Sequence, residues 1–225
     1  MNTKRNNMFL IAGIIGTVFV GYGDWLLGYV APDVIGTSSL LCVGHGMDYA
    51  LWKPIASMLT GIIGMLLYVP FFMEVSKTIT NDRTRKAFSI SASCGFLGYL
   101  LIHYYVASLV FQYSWGVKNA VENAFEYTSA VLEAFSPVIM ILYAIVIIPF
   151  IIHFWATIKG KTNLPKLSVV ANPLCVLIFL ALIVSCLPDS KFASGLKMGI
   201  ASEAIFTWAI ALFLMTKKKI PLKNK

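Results

Sequence analysis

This sequence reads as an all-α, polytopic bundle of six membrane-spanning helices with both termini in the cytoplasm. Three observations lead there. Of the 225 residues, 58% are hydrophobic and 12% charged, with a mean hydropathy of +0.78. A soluble domain is nearer a quarter charged. Several apolar runs reach the roughly 20 residues that a helix needs to cross a bilayer, and none alternates as a membrane strand would. The basic residues are also sorted by position. Lys4, Arg5, Lys77, Arg83, Arg85, Lys86, Lys159, Lys161, Lys166, Lys217, Lys218, Lys219, Lys223 and Lys225 fall on one set of ends, and only Lys53, Lys118, Lys191 and Lys197 on the other. Positive charge concentrates on cytoplasmic loops. The net charge of +8 therefore lies against lipid headgroups. No folded basic face is left for a nucleic acid.

The spans fall at about 8–29, 54–75, 87–113, 129–158, 167–187 and 198–215, in one domain over 1–225. The start "MNTKRNNMFLIAGIIG" has the basic and apolar regions of a signal peptide. Its apolar stretch continues past Trp25, and no A-x-A-like site follows, so it reads as an uncleaved first span. Gly13, Thr17, Gly21, Asp24 and Gly28 step by three or four residues and share one helix face, with Gly16 at its edge. Small residues at that spacing are a helix contact device in membranes. Asp24 shares the stripe, so it points inward, where a costly carboxylate needs partners.

The connection 31–53 is semi-apolar and holds His45 and Asp48; it is expected on the outer face. The second span presents Ser57, Gly61, Gly64 and Tyr68, and the third carries His103 beside Tyr104. Val117, Val121 and Phe125 in segment 114–127 suggest a short interfacial helix. The fourth span has Ser129, Glu133 and Ser136 before Pro137. Near its inner end, His153 and Trp155 read as interface anchors. The sixth presents Gly199, Glu203 and Thr207. Cys94 and Cys175 read as small packing residues within spans. Cys42 and Cys186 both fall near the outer surface, which leaves a disulfide between them open.

Depth links the polar residues. Asp24, Glu133 and Glu203 each lie four or five residues from the outer end of a span, roughly 6–8 Å at 1.5 Å per residue. His103 lies roughly 15 Å down. The expected site is an outward-facing pocket walled by Asp24, Glu133 and Glu203, floored by His103, with Trp25, Tyr104 and Ser136 around it. Adjacent carboxylates cannot all stay ionised without a positive partner. The partner is a proton, a metal, an organic cation, or Lys53 or Lys197 folding in.

Binding or transport of a small cationic or proton-coupled ligand follows most directly. A transporter this small usually dimerises, so a homo-oligomer is an expected assembly. One alternative is an intramembrane enzyme acting on a lipid or isoprenoid, with the same residues as metal ligands or proton shuttles, although H-E-x-x-H and G-x-S-x-G are absent. Another is an accessory protein whose polar residues only hold helices together. The sequence specifies no cofactor and leaves metal occupancy open. "VGYGDWLLGY" at 20–29 resembles the opening of a group of uncharacterised bacterial six-helix membrane proteins. That resemblance implies a topology and a bacterial plasma membrane, and no chemistry.

Overall fold

The computed structural model describes residues 3–29 and 50–217. Cys42, His45 and Asp48 lie outside them, so the outer-face loop and the disulfide expectation concern residues not described. Among the described residues six α-helices follow one another: α1 (Thr3–Gly28), α2 (Trp52–Ser76), α3 (Asp82–Lys118), α4 (Ala124–Ile158), α5 (Pro173–Cys186) and α6 (Lys191–Lys217). A 3-10 segment, Lys166–Ala171, leads into α5. Among the described residues five helices are long and apolar enough to cross a membrane; α5 is apolar but has 14 residues. At 1.5 Å per residue it covers about 21 Å, short of the roughly 30 Å of a hydrocarbon core.

Local chemistry sets the ends. Asn81 caps α3, its side chain accepting from the Thr84 N–H at 2.9 Å. Asn172 caps α5 in the same way and Pro173 occupies the first turn. The expected interfacial helix at 114–127 does not form as a separate element. Its first residues finish α3 and its last begin α4. Between them the Val121 N–H returns to the Gly116 carbonyl at 2.9 Å, and Ala120 takes a left-handed φ of 51°. That is a Schellman-type stop. The valine and phenylalanine spacing continued across it because no glycine or proline marks the turn.

Each helix packs on the next in the spatial order α5, α6, α1, α2, α3, α4, while α4 meets α5 only sparsely. The small residues of α1 lie along the seam between α2 and α6. Gly16 faces Gly64, and a Cβ on Gly16 would sit 2.7 Å from the Gly64 carbonyl oxygen. Two backbones therefore touch there with no room for a side chain. Gly23, absent from the predicted stripe, lies as close to Ser57 and Thr60. Gly21 is the loose member: a Cβ there would meet only Ser202, at 3.6 Å.

The end bearing the α2–α3 and α4–α5 connections is filled by Phe71, Phe88, Phe150 and Trp208. His153 belongs to this core. It is 2% exposed, with its ring 5.0 Å from Trp208 and 6.0 Å from Phe88. The expected interfacial role is therefore wrong for His153, whose face of α4 turns into the bundle. Trp155, two residues on, is exposed. Cys94 is also exposed, not packed.

Candidate functional site

The opposite half of the bundle is built around Asp24. The stripe that turns it inward leaves it 7% exposed, facing α3 and α6. Its Oδ1 lies 3.0 Å from His103 Nδ1, and its Oδ2 accepts a hydrogen bond from Ser202. The Ser202 hydroxyl has one proton and gives it to Asp24, so Tyr99, 3.0 Å away, donates to Ser202. His103 Nε2 lies 2.9 Å from the Ser57 carbonyl oxygen and 3.3 Å from the Ser57 hydroxyl.

Gly61 makes the last contact possible. A Cβ at that position would overlap the imidazole. The missing side chain opens one turn of α2, and the ring reaches a main-chain carbonyl inside the helix.

These partners fix the proton count. A carbonyl only accepts, so Nε2 carries a proton and donates it to Ser57. One further proton lies between Nδ1 and Oδ1. Whether that proton sits on nitrogen or oxygen, the Asp24–His103 pair has a net charge of zero. The pair forms part of the wall of a cavity of about 150 Å³, completed by Tyr99 and Tyr143 and, on α6, by Lys197 and Met198. Lys197 is exposed and occupies the rim. The space suits a small group; drug-sized ligands take roughly 300 Å³ or more.

The contacts Asp24–His103–Ser57 follow the order of a hydrolase triad. Two features prevent that use. Ser57 is 0% exposed and does not line the cavity. Nε2 also already donates to the Ser57 carbonyl, so it cannot take the hydroxyl proton as a base must. Among the described residues no group of three His, Cys, Asp or Glu side chains is placed to hold a metal ion.

The other predicted residues do not converge on this pair. Glu203 sits on the α1–α6 seam, where its Oε1 accepts from Trp25 Nε1 at 2.9 Å; its Oε2 is buried without a hydrogen-bond partner. Adjacent helix residues point about 100° apart, and Ser202 holds the inward place. Glu133 is exposed on α4 beside the buried Leu132, and Tyr104 is exposed beside the buried His103. Ser136 bonds back to the Glu133 carbonyl at 2.8 Å. The three acids therefore do not share one pocket: Glu133 faces outward, and Glu203, within electrostatic reach of Asp24, is turned to Trp25 and not to the pair. Ser202 and the Ser57 carbonyl were missed. The Ser194, Met198, Ser202, Ile205, Ala209 spacing was the signal for Ser202, outweighed by the charge of Glu203.

Five helices long and apolar enough to cross a membrane, packed around a buried acid–imidazole pair, place the chain in the class of helical multi-pass membrane proteins. The chain belongs to DUF6796, a family of unknown function, which matches it over residues 1–219. No curated protein and no solved structure matches it.

Proposed function

We propose that this is a six-span protein of a bacterial plasma membrane with both termini cytoplasmic, and that Asp24–His103 is the proton-carrying element of a small-ligand site reached from the outer half. The path of the chain supports six crossings. α4 ends where its connection pairs with the α2–α3 loop, whereas α6 starts beside the end of α1, Ser194 and Met198 lying against Gly28. The segment between them must travel from one end of the bundle to the other. The 3-10 turn and α5 make that journey. The basic residues mark the cytoplasmic end, and the resemblance at 20–29 supports the bacterial membrane. A cysteine at Asn81 should react with an impermeant thiol reagent only after the membrane is opened. Labelling from outside intact cells would contradict the topology.

The observation that carries the function is the 3.0 Å contact between Asp24 Oδ1 and His103 Nδ1, which calls for one shared proton, on the wall of a cavity. While that proton stays, the site is neutral. Once it leaves, the site carries one negative charge in a low-dielectric setting, which favours a cation. Proton and cation are then alternative occupants. Lys197 on the rim repels a divalent ion more than a monovalent one, so the favoured occupant is small and singly charged. Binding linkage is reciprocal. Alkali or quaternary ammonium chlorides, which carry no proton themselves, should therefore release about one proton per chain from purified protein in weakly buffered detergent. Asp24→Asn should release none. Absence of release across that panel would contradict the reading.

A further inference from the structure

The two basic connections are joined to each other. The Thr80 N–H donates to the Lys161 carbonyl and the Asn163 N–H to the Thr78 carbonyl, both at 2.8 Å, and Ile79 pairs with Thr162 in an antiparallel bridge. Gly160, at φ +65°, turns the chain into it. This pairing holds Lys161 opposite the first turn of α3, across a groove of about 620 Å³ between α3 and the end of α4. Ile151, Ile152 and Trp155 form its apolar wall; Arg83, Thr84 and Lys161 form its rim. Ile151 and Trp155 are exposed, as they would be facing lipid. The Lys161 ammonium lies over the Trp155 ring, 4.2 Å from its centroid.

The charges at this groove are unbalanced. Among the described residues neither Arg83 nor Lys161 has a carboxylate partner, because Asp82 pairs with Arg85 and Glu74 with Lys77. Two cations therefore stand at the lip of an apolar cleft at the basic end of the bundle. We infer that the groove binds an anionic phospholipid of the cytoplasmic leaflet, its phosphate between Arg83 and Lys161 and an acyl chain along Ile151 and Ile152. A soluble anion would use the two charges and leave the apolar wall bare. A zwitterionic lipid would fill the wall and bring its own cation against the two already present. The inference rests on this end lying at the cytoplasmic surface and is independent of the Asp24 site.

The test is lipid retention by the full chain, followed by native mass spectrometry from detergent micelles titrated with phosphatidylglycerol or phosphatidylcholine. The wild type should retain phosphatidylglycerol preferentially. At the usual strength of a basic residue near a membrane surface, Arg83→Gln with Lys161→Gln should weaken that retention roughly 30-fold. Lys118→Gln with Lys191→Gln, at the opposite end, should leave it unchanged. Should the double variant lose its native melting transition, the single variants, each weaker by about fivefold, decide. Equal retention of the two lipids, or undiminished retention by the Arg83 and Lys161 variants, would overturn the site. Displacement of the lipid by an equal concentration of glycerol phosphate would overturn its assignment to a lipid.

Discussion

Among the described residues two histidines are buried, and their surroundings differ. His103 has a carboxylate on one ring nitrogen and a main-chain carbonyl on the other, beside a cavity. His153 has the Thr78 hydroxyl 3.3 Å from Nε2 and aromatic rings around it. Among the described residues no acid pairs with His153. The half around His153 is closed by Phe71, Phe150 and Trp208. The half around His103 keeps polar atoms connected: Tyr99 to Ser202, Ser202 to Asp24, and Asp24 to His103. Burial alone does not distinguish the two. A carboxylate partner and an adjoining cavity set His103 apart; His153 has the role of a ring that fills a core.

Substitution should expose that difference most strongly. Asp24→Leu or His103→Leu strands the other member of a buried pair, which costs about 3–5 kcal/mol. Replacing both together should recover much of the loss, since apolar residues often substitute well for a complete buried pair. His153→Leu should cost less than about 1.5 kcal/mol, as a roughly volume-conserving core change; Thr78 already donates to the Val75 carbonyl at 2.7 Å. Thermal unfolding in detergent measures all four. Equal losses for His103→Leu and His153→Leu would erase the distinction.

The glycine seam comes next. Gly16→Leu forces a side chain against the Gly64 backbone and should cost about 1–3 kcal/mol. Gly21→Ala fits the 3.6 Å space beside Ser202 and should change the melting temperature little. Ser202→Ala should cost less than Gly16→Leu and more than Gly21→Ala, about 1 kcal/mol, because it removes a donor to Asp24; unchanged stability would show that the Tyr99–Ser202 arm contributes nothing. The smallest effect is none at all. A fluorophosphonate probe should not modify Ser57, and a covalent adduct there would revive the triad reading.

Much of the helical fold was legible because hydropathy is additive along the chain. Asp24 was legible for the same kind of reason: one helix face held four small residues, and the acid shared it. Facing between helices was harder. Glu133 and Glu203 have the right depth, but Leu132 and Ser202 take the inward positions, and a difference of one residue turns a side chain about 100°. The Ser57 carbonyl could not be read at all, since it becomes available only where Gly61 lets an imidazole from another helix approach. The Ile79–Thr162 bridge was equally hidden, because it joins two loops with no strand pattern in either. α5 is shorter than its apolar run suggested, as residues 166–171 wind as a 3-10 helix before Asn172 and Pro173 start a new one.

The proton between Asp24 and His103 is the central claim, and infrared difference spectroscopy on addition of an alkali or quaternary ammonium chloride tests it most directly. With ¹³C-labelled aspartate, the wild type should show an Asp24 carboxyl or carboxylate band and an imidazole band that change together as one proton leaves. The Asp24 band should be absent from Asp24→Asn, and the paired change absent from His103→Gln. Bands that change independently of each other, or an Asp24 band that responds to none of these salts, would contradict it.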